Sequence, residues 1–490
     1  MNLQEVNKLV SFIEENTRAD KVSGIDFIDP RNFKSKVQSR QNGVVFGRRG
    51  AGKSTLLKTL ENSDNIFSIY VNLEDYKDIT FPNIIIKVLV RFFKVSIENL
   101  KNESTVWKIQ DYLRKRKLIN KLKKEIAKLE KKTNSPDLLD ESRRYKSGSE
   151  EEIKSGIKNE VAELGSSLKE YNESEVEHKW KIDKLNELKT SIDEIKELIA
   201  SISEQTNKTI ILILDDFYFI PKSIQPYLVD YFHRLTKSNN FYLKIGTVKH
   251  RTRLYKQSDE SYIGMELNAD IYDIDLDYTL DKWSDLKRFK RDLLITSIRL
   301  SKANIEIDDI FNEESFEQLC LASGGVPRDF LVLFIKCCTT LNDSSTKINV
   351  PTVREVAIQN YVNKKVALEK DSLVSENILE KLINFLRDKV FVEKRTNVFL
   401  IDNEVLERDE EIKNLIRELI DLRFLHIIDN NTSSAPSDGK RYSAYLLDVS
   451  LYTNGRPRNF KEVKPDLKIQ RDDIRSSPRI LVENLRTLLK

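Results

Sequence analysis

Gly47-Arg48-Arg49-Gly50-Ala51-Gly52-Lys53-Ser54-Thr55 constrains this chain more than any other stretch. It fits the pattern G-x-x-x-x-G-K-[ST], which carries meaning only when a strand leads into it and a helix leaves it. Both flanks comply. Gly43-Val44-Val45-Phe46 reads as a short buried strand, and Leu56, Leu57 and Leu60 recur at helical spacing. A strand, a glycine-rich turn and a helix start aim backbone N–H groups and the positive helix end at one point, which is a cradle for a polyphosphate. In such a loop Lys53 supplies a point charge to the β/γ oxygens and the Ser54 hydroxyl joins the shell of a Mg²⁺ ion. A nucleoside triphosphate is the expected ligand.

A second element agrees. Thr209-Ile210-Ile211-Leu212-Ile213-Leu214-Asp215-Asp216 is an apolar run ending in two acids, the pattern of a parallel strand buried on both faces. Acids at the C-terminal end of such a strand lie where open α/β sheets bind ligands. Asp215 is therefore expected to hold Mg²⁺ through water, and Asp216 to sit near an attacking water.

Asp215 follows Lys53 by 162 positions, far more than two strand–helix–strand steps require. The surplus, residues 99–207, reads as a helical coiled-coil insertion. Leu185, Leu188, Ile192, Ile195, Ile199 and Ile202 alternate spacings of three and four, as do Ile119, Leu122, Ile126 and Leu129, and Ile157, Val161, Leu164, Leu168 and Tyr171. Residues 114–132 carry ten Lys/Arg against two acids, and 150–177 carry nine Glu against three Lys. Opposite charges on helices that face each other make an antiparallel arm the preferred reading, with the arm as a docking surface for a separate partner or effector protein.

Downstream, Gln225–Leu235 reads as helix and Phe241–Val248 as the next strand, followed by the polar cluster Thr247–Arg253; Ile271–Leu276 reads as one more strand. Helices are expected over 282–350, where Ser323-Gly324-Gly325-Val326-Pro327-Arg328 closes one helix and opens another. Arg328 in that first turn opposes the helix dipole, which points to an anionic partner. Beyond about 366 come helices at 378–386 and 404–422, a short extended piece at 398–401, and strands at 424–428 and 442–449. That series resembles a winged helix, with Lys440, Arg441, Arg456 and Arg458 as its candidate DNA-facing cations. From Thr453 the proline-bearing tail is expected to pack poorly until a short helix near 480–489.

Composition narrows the class. Charged residues make up 33% of the 490, yet the formal net charge is only +4, so the chain as a whole makes no case for nucleic-acid binding. Three cysteines and four histidines argue against a zinc site or a disulfide frame. The first residues lack a secretory pattern and no apolar run reaches ~18 residues, so a cytoplasmic protein without a membrane span is expected.

Gly47–Thr55, Leu212–Asp216, the strand ending in Thr247 and Gly324–Arg328 together resemble the AAA+ superfamily, in its branch near origin-recognition-complex and STAND ATPases, common in bacteria. The resemblance covers about 40–350 without the insertion. It implies an α/β P-loop sheet with a helical lid and a C-terminal winged-helix-like domain: core at 1–98 and 208–281, lid at 282–365, winged-helix-like domain at 366–452, tail at 453–490. It also implies roles: Thr247 as the polar sensor ending the fourth strand, Arg328 as the lid arginine reaching the γ-phosphate, and Arg251 or Arg253 as a finger acting on a neighbour's site in a homo-oligomer. Asp215-Asp216 replaces the Asp-Glu of many relatives, which suits a slow ATPase switch, in antiphage defence or DNA maintenance, better than a motor. A DNA-binding initiator or transposition ATPase, and an ATP-bound scaffold acting through its arm, are the rival readings. No Leu-Ser-Gly-Gly-Gln signature or kinase acceptor site is present.

Overall fold

The computed structural model describes residues 2–17, 27–102, 109–133, 184–237, 239–257, 262–341, 347–371, 376–452, 455–465 and 467–489. Strands β1 (Gly43–Phe46), β2 (Ile66–Asn72), β3 (Thr209–Asp215), β4 (Phe241–Thr247) and β7 (Tyr272–Asp275) make one parallel sheet in the order β2-β3-β4-β1-β7. Strands β5 (Tyr255–Gln257) and β6 (Tyr262–Gly264) form a separate hairpin. Strand β3 shows why the order holds. All seven residues of β3 are buried, and Ile210 through Leu214 are 0% exposed. Each such side chain stabilises the fold by roughly 1.5–3 kcal/mol relative to exposure, so a position between β2 and β4 is the one that covers both its faces.

Helices lie on both sides. On one face α2 (Phe33–Val37) and α3 (Lys53–Lys58) pack through Phe33, Val37, Leu56 and Leu57 against Val45, Ile211 and Ile213. The other face is covered by α4 (Asn83–Asn102), α5 (Ile109–Thr133), α6 (Ile192–Thr206) and α7 (Gln225–Thr236). Here the structure corrects the insertion boundary. Helix α4 runs through position 99, and Leu122, Leu129, Leu188, Ile195, Ile199 and Ile202 share one continuous core with Phe92, Ile210 and Leu243. The three-four seam at 185–202 and the one at 119–129 thus pack into the sheet's own core rather than forming a free arm. The 157–171 seam lies outside the described residues.

The lid comprises α8 (Trp283–Ser301), a single turn at Ile307–Ile310, α9 (Glu313–Ala322), α10 (Pro327–Thr339) and α11 (Val350–Asp371). Helix α1 (Leu3–Thr17) joins it, burying Val6, Leu9 and Ile13 in the lid's core instead of the sheet's. Cys320, Cys337 and Cys338 are free and buried there. A boundary at 365/366 falls inside α11. The C-terminal unit follows: α12 (Glu376–Leu386), β8 (Val398–Asp402), α13 (Asn403–Arg408), α14 (Glu410–Asp421), β9 (Leu425–Thr432) and β10 (Tyr442–Leu447), with an antiparallel sheet of order β8-β10-β9. The single helix expected over 404–422 is two, because the Asp409 carboxylate accepts the Ile412 N–H and starts a new helix. Among its described residues the tail packs on this unit, with Val463, Ile474 and Ile480 buried. Buried Asn397 hydrogen-bonds both backbone groups of Val463, and Leu400 exchanges hydrogen bonds with Pro478 and Ile480, adding an edge to β8.

Among the described residues no helix is long and apolar enough to cross a membrane.

Candidate nucleotide site

The loop 47–52 leaves β1 at the C-terminal edge of the sheet, held by a hydrogen bond from the Gly47 N–H to the Thr247 carbonyl at the end of β4. Gly50 takes φ +87, and a Cβ there would stand 2.9 Å from the Cβ of Arg328. Only a residue without a side chain admits the lid this close. The contact is direct, for the Arg328 N–H donates to the Gly50 carbonyl at 3.3 Å. Ala51 is buried in the small core beneath, while Arg49 and Thr55 are exposed.

Lys53 opens α3 with its side chain buried; Nζ donates to the carbonyls of Gly47 (2.9 Å) and Arg48 (3.3 Å). Burial lowers its pKa, opposed by the charges of Asp216 and Asp215. A buried ammonium closed in by loop carbonyls and facing two acids is the donor such a loop needs for phosphate oxygens. Asp215, 0% exposed, accepts the Asp216 N–H on Oδ1 at 2.9 Å and the Tyr70 hydroxyl on Oδ2 at 2.5 Å. Tyr70 thus donates to one of the two residues expected to face a metal. Asp216 adopts φ +51 as the chain turns off β3. Burial, reinforced by Asp215, pushes its carboxyl up to about 6 against the pull of Lys53.

Thr247 is fully buried, with its hydroxyl 2.6 Å from that of Thr252. Arg48 is turned away from the loop's open side. It donates to the carbonyls of Gly324 (2.9 Å) and Tyr278 (3.2 Å) and pairs with Asp277, which also accepts its backbone N–H at 2.9 Å. Arg48 therefore clamps the lid to the loop instead of presenting a charge to a phosphate. Arg328 is exposed at the start of α10, within electrostatic reach of Arg49 and Asp216.

The two finger candidates part company. Arg251 is buried and bonded to Glu418 of its own chain at 2.6 Å, so it is not available to a neighbour. Arg253 is exposed, its Nε donating to the Tyr255 carbonyl at 3.2 Å. Neighbouring Asp329 accepts a two-pronged bond from Arg423 at 2.8 and 2.9 Å. The loop after β4 and the helix bearing Arg328 are thereby both fastened to the C-terminal unit. Sequence reasoning missed Tyr70, Asp277, Asp329, Glu418 and Arg423. Only Asp277 had a signal, continuing the alternation of Asp273 and Asp275 just beyond β7.

A parallel sheet with a buried Lys53 in the turn after β1 and acids ending β3 defines a P-loop ATPase fold. The family follows: a model of ORC-CDC6-like proteins matches residues 15–316, and the chain belongs to that family. Among solved structures it is similar to the Walker-type ATPase of Pyrococcus abyssi, with TM-score 0.37, 13% identity, and coverage of 86% of this chain and 95% of that one. Drosophila ORC bound to DNA gives TM-score 0.33 and 12% identity, over 90% of both chains. Aeropyrum pernix ORC1 in complex with DNA gives TM-score 0.34 and 13% identity, over 95% of this chain and 97% of that one. No curated protein matches.

Proposed function

We propose that this chain is an ATP-binding, slowly hydrolysing switch whose nucleotide state sets the position of its C-terminal unit. The observation that carries the proposal is the double attachment of that unit to the site. Arg251–Glu418 ties it to the loop carrying Thr247, and Asp329–Arg423 ties it to the helix carrying Arg328. Any ligand that draws these two elements together pulls on α14 and the residues just after it.

Residues 47–55 fit a triphosphate, with Lys53 as the cation and Gly50 leaving room. Ser54 and Asp215 fit Mg²⁺ through hard oxygen donors. Bound Mg²⁺ would neutralise charge building on the β/γ oxygens. Asp216 would orient a water and take its proton, Thr247 would hold that water from the other side, and Arg328 would reach the γ-phosphate. A homo-oligomer would add Arg253 from the next copy. The unit boundaries proposed here are 27–281 for the nucleotide-binding part, 3–17 with 282–371 for the lid, and 376–489 for the C-terminal part. The order of elements from α12 to β10 supports a winged-helix-like description of the last. The exposed basic face of α5, in the nucleotide-binding part, is the surface we propose for a separate partner.

Reading of DNA by the C-terminal unit is disfavoured. Helix α14 carries Glu410, Glu411, Glu418 and Asp421 against Lys413 and Arg417, and it is docked on the nucleotide-binding part. Lys440 is paired with Asp402 at 2.7 Å and Arg456 with Glu462 at 3.0 Å, so two of the four cations proposed for DNA are neutralised internally.

Binding of ATP to purified wild type and Lys53→Ala tests the reading. Loss of Lys53 removes hydrogen bonds to charged oxygens, each worth ~1.5–3 kcal/mol. The variant should fold normally and lose tight binding; near-wild-type affinity would overturn the assignment.

A further inference from the structure

Asp215 is bonded to a residue that no phosphate-loop motif contains. Tyr70 stands on β2, whose alternating pattern turns Ile66, Ser68, Tyr70 and Asn72 towards the α3 side of the sheet. The register sets Asn72 beside Asp215 and Tyr70 beside Ile213, so the phenol reaches diagonally across to the acid. Its ring lies 5.6 Å from the Lys58 ammonium, which holds it against α3. The phenol then donates to Asp215 Oδ2 at 2.5 Å. With Oδ1 taken by the Asp216 N–H, both oxygens of a fully buried carboxylate are satisfied from within the protein. Burying that charge without donors would cost far more than it does here.

We propose that Tyr70 is a positioning residue for divalent-metal entry. Its hydroxyl orients the Asp215 carboxylate before metal arrives, and it must give up Oδ2 when Mg²⁺ and its water shell settle there. This rests on the nucleotide-site reading above. The hydroxyl stabilises the metal-free carboxylate, so it competes with metal: removing it raises the free energy of the empty site and leaves the ring packing in place.

The test titrates the full-length protein with MgCl₂ at fixed fluorescent ATP analogue, and repeats nucleotide binding in EDTA. In Tyr70→Phe the EDTA affinity should stay within about twofold of wild type. The Mg²⁺ half-saturation should fall roughly tenfold, equivalent to about 1.4 kcal/mol. Tyr70→Leu, which also lacks the hydroxyl, should show the same direction. The rise in melting temperature on adding Mg²⁺ and nucleotide should be larger in both variants than in wild type. An unchanged or raised half-saturation, or an equal thermal rise, would overturn the role of Tyr70 while leaving the nucleotide site standing. A wild type whose nucleotide binding ignores Mg²⁺ would overturn both.

Discussion

Arg251 and Glu418 form an ion pair 2.6 Å long in which both side chains are under a tenth exposed, joining the loop after β4 to α14 across 167 positions of sequence. Breaking a buried pair by removing one partner strands the other charge, typically at 3–5 kcal/mol. Arg251→Ala should therefore destabilise the protein by about that much in chemical unfolding, and Glu418→Gln by less. If the pair matters for coupling, the double variant Arg251→Met/Glu418→Leu should recover much of the stability yet lose nucleotide-dependent movement of the C-terminal unit. Full coupling in that variant would show that the pair is only a staple.

On the proposed function Arg253 is the arginine that would act in trans, and that role requires an oligomer. Fingers of this kind contribute ~10³–10⁵ in rate where measured in other phosphoryl-transfer systems. Mixing Asp216→Ala with Arg253→Ala subunits should restore part of the ATPase activity that each lacks alone. Specific activity that does not change with protein concentration, in a protein that stays monomeric with ATP, would contradict the shared site.

The parts legible in the sequence were those whose partners are close along the chain or repeat at fixed spacing. Gly47–Thr55 and Asp215-Asp216 announce a loop and a strand end by local chemistry, and Gly324–Arg328 announces a helix junction. Ion pairs such as Arg251–Glu418 and Arg423–Asp329 leave no local trace, because a charged residue on a loop reads the same whether it is solvated or paired. The periodicity at Ile192–Ile202 says which face of a helix is apolar but not what covers it, so a core helix passed for an arm. Tyr70 reads as packing in an alternating strand until the β2–β3 register places it beside Asp215.

Asp421 provides a pH handle on the domain junction. Its Oδ2 is buried with no hydrogen-bond partner among the described residues, and burial pushes the carboxyl up to about 7. Glu418 and Asp277 reinforce the shift, Arg251 and Arg48 oppose it, and Lys222 faces the same group. The folded pKa lies above the unfolded value, so the folded state binds the extra proton. Stability from this group is complete below pH ~4 and is lost as pH rises towards 7. Asp421→Asn should flatten that part of the stability profile and gain about 1–3 kcal/mol at pH 8 relative to wild type. A variant profile parallel to wild type from pH 4 to 8 would refute it.

Replacing residues 110–203 with a Gly/Ser linker should not leave a sound core, contrary to what an independent arm implies. It would remove Leu122, Leu129, Leu188, Ile195, Ile199 and Ile202, all 1% exposed or less. Large-to-small changes at single sites of this kind cost 2–5 kcal/mol each, against a total stability of 5–15 kcal/mol. The product should be insoluble or molten by near-UV circular dichroism. Excising only 134–183 should leave a folded, ATP-binding protein.

The most direct test of the switch is the distance between its two tethered parts as a function of nucleotide. Spin labels at Lys237→Cys on the nucleotide-binding part and Arg441→Cys on the C-terminal unit sit at exposed positions, and the three native cysteines are buried. ATP with Mg²⁺ should shift the measured distance distribution in the labelled wild type and in Asp216→Ala, and leave it unmoved in Lys53→Ala. A wild type that binds ATP tightly while its distance distribution stays the same in the presence and absence of nucleotide would contradict the account.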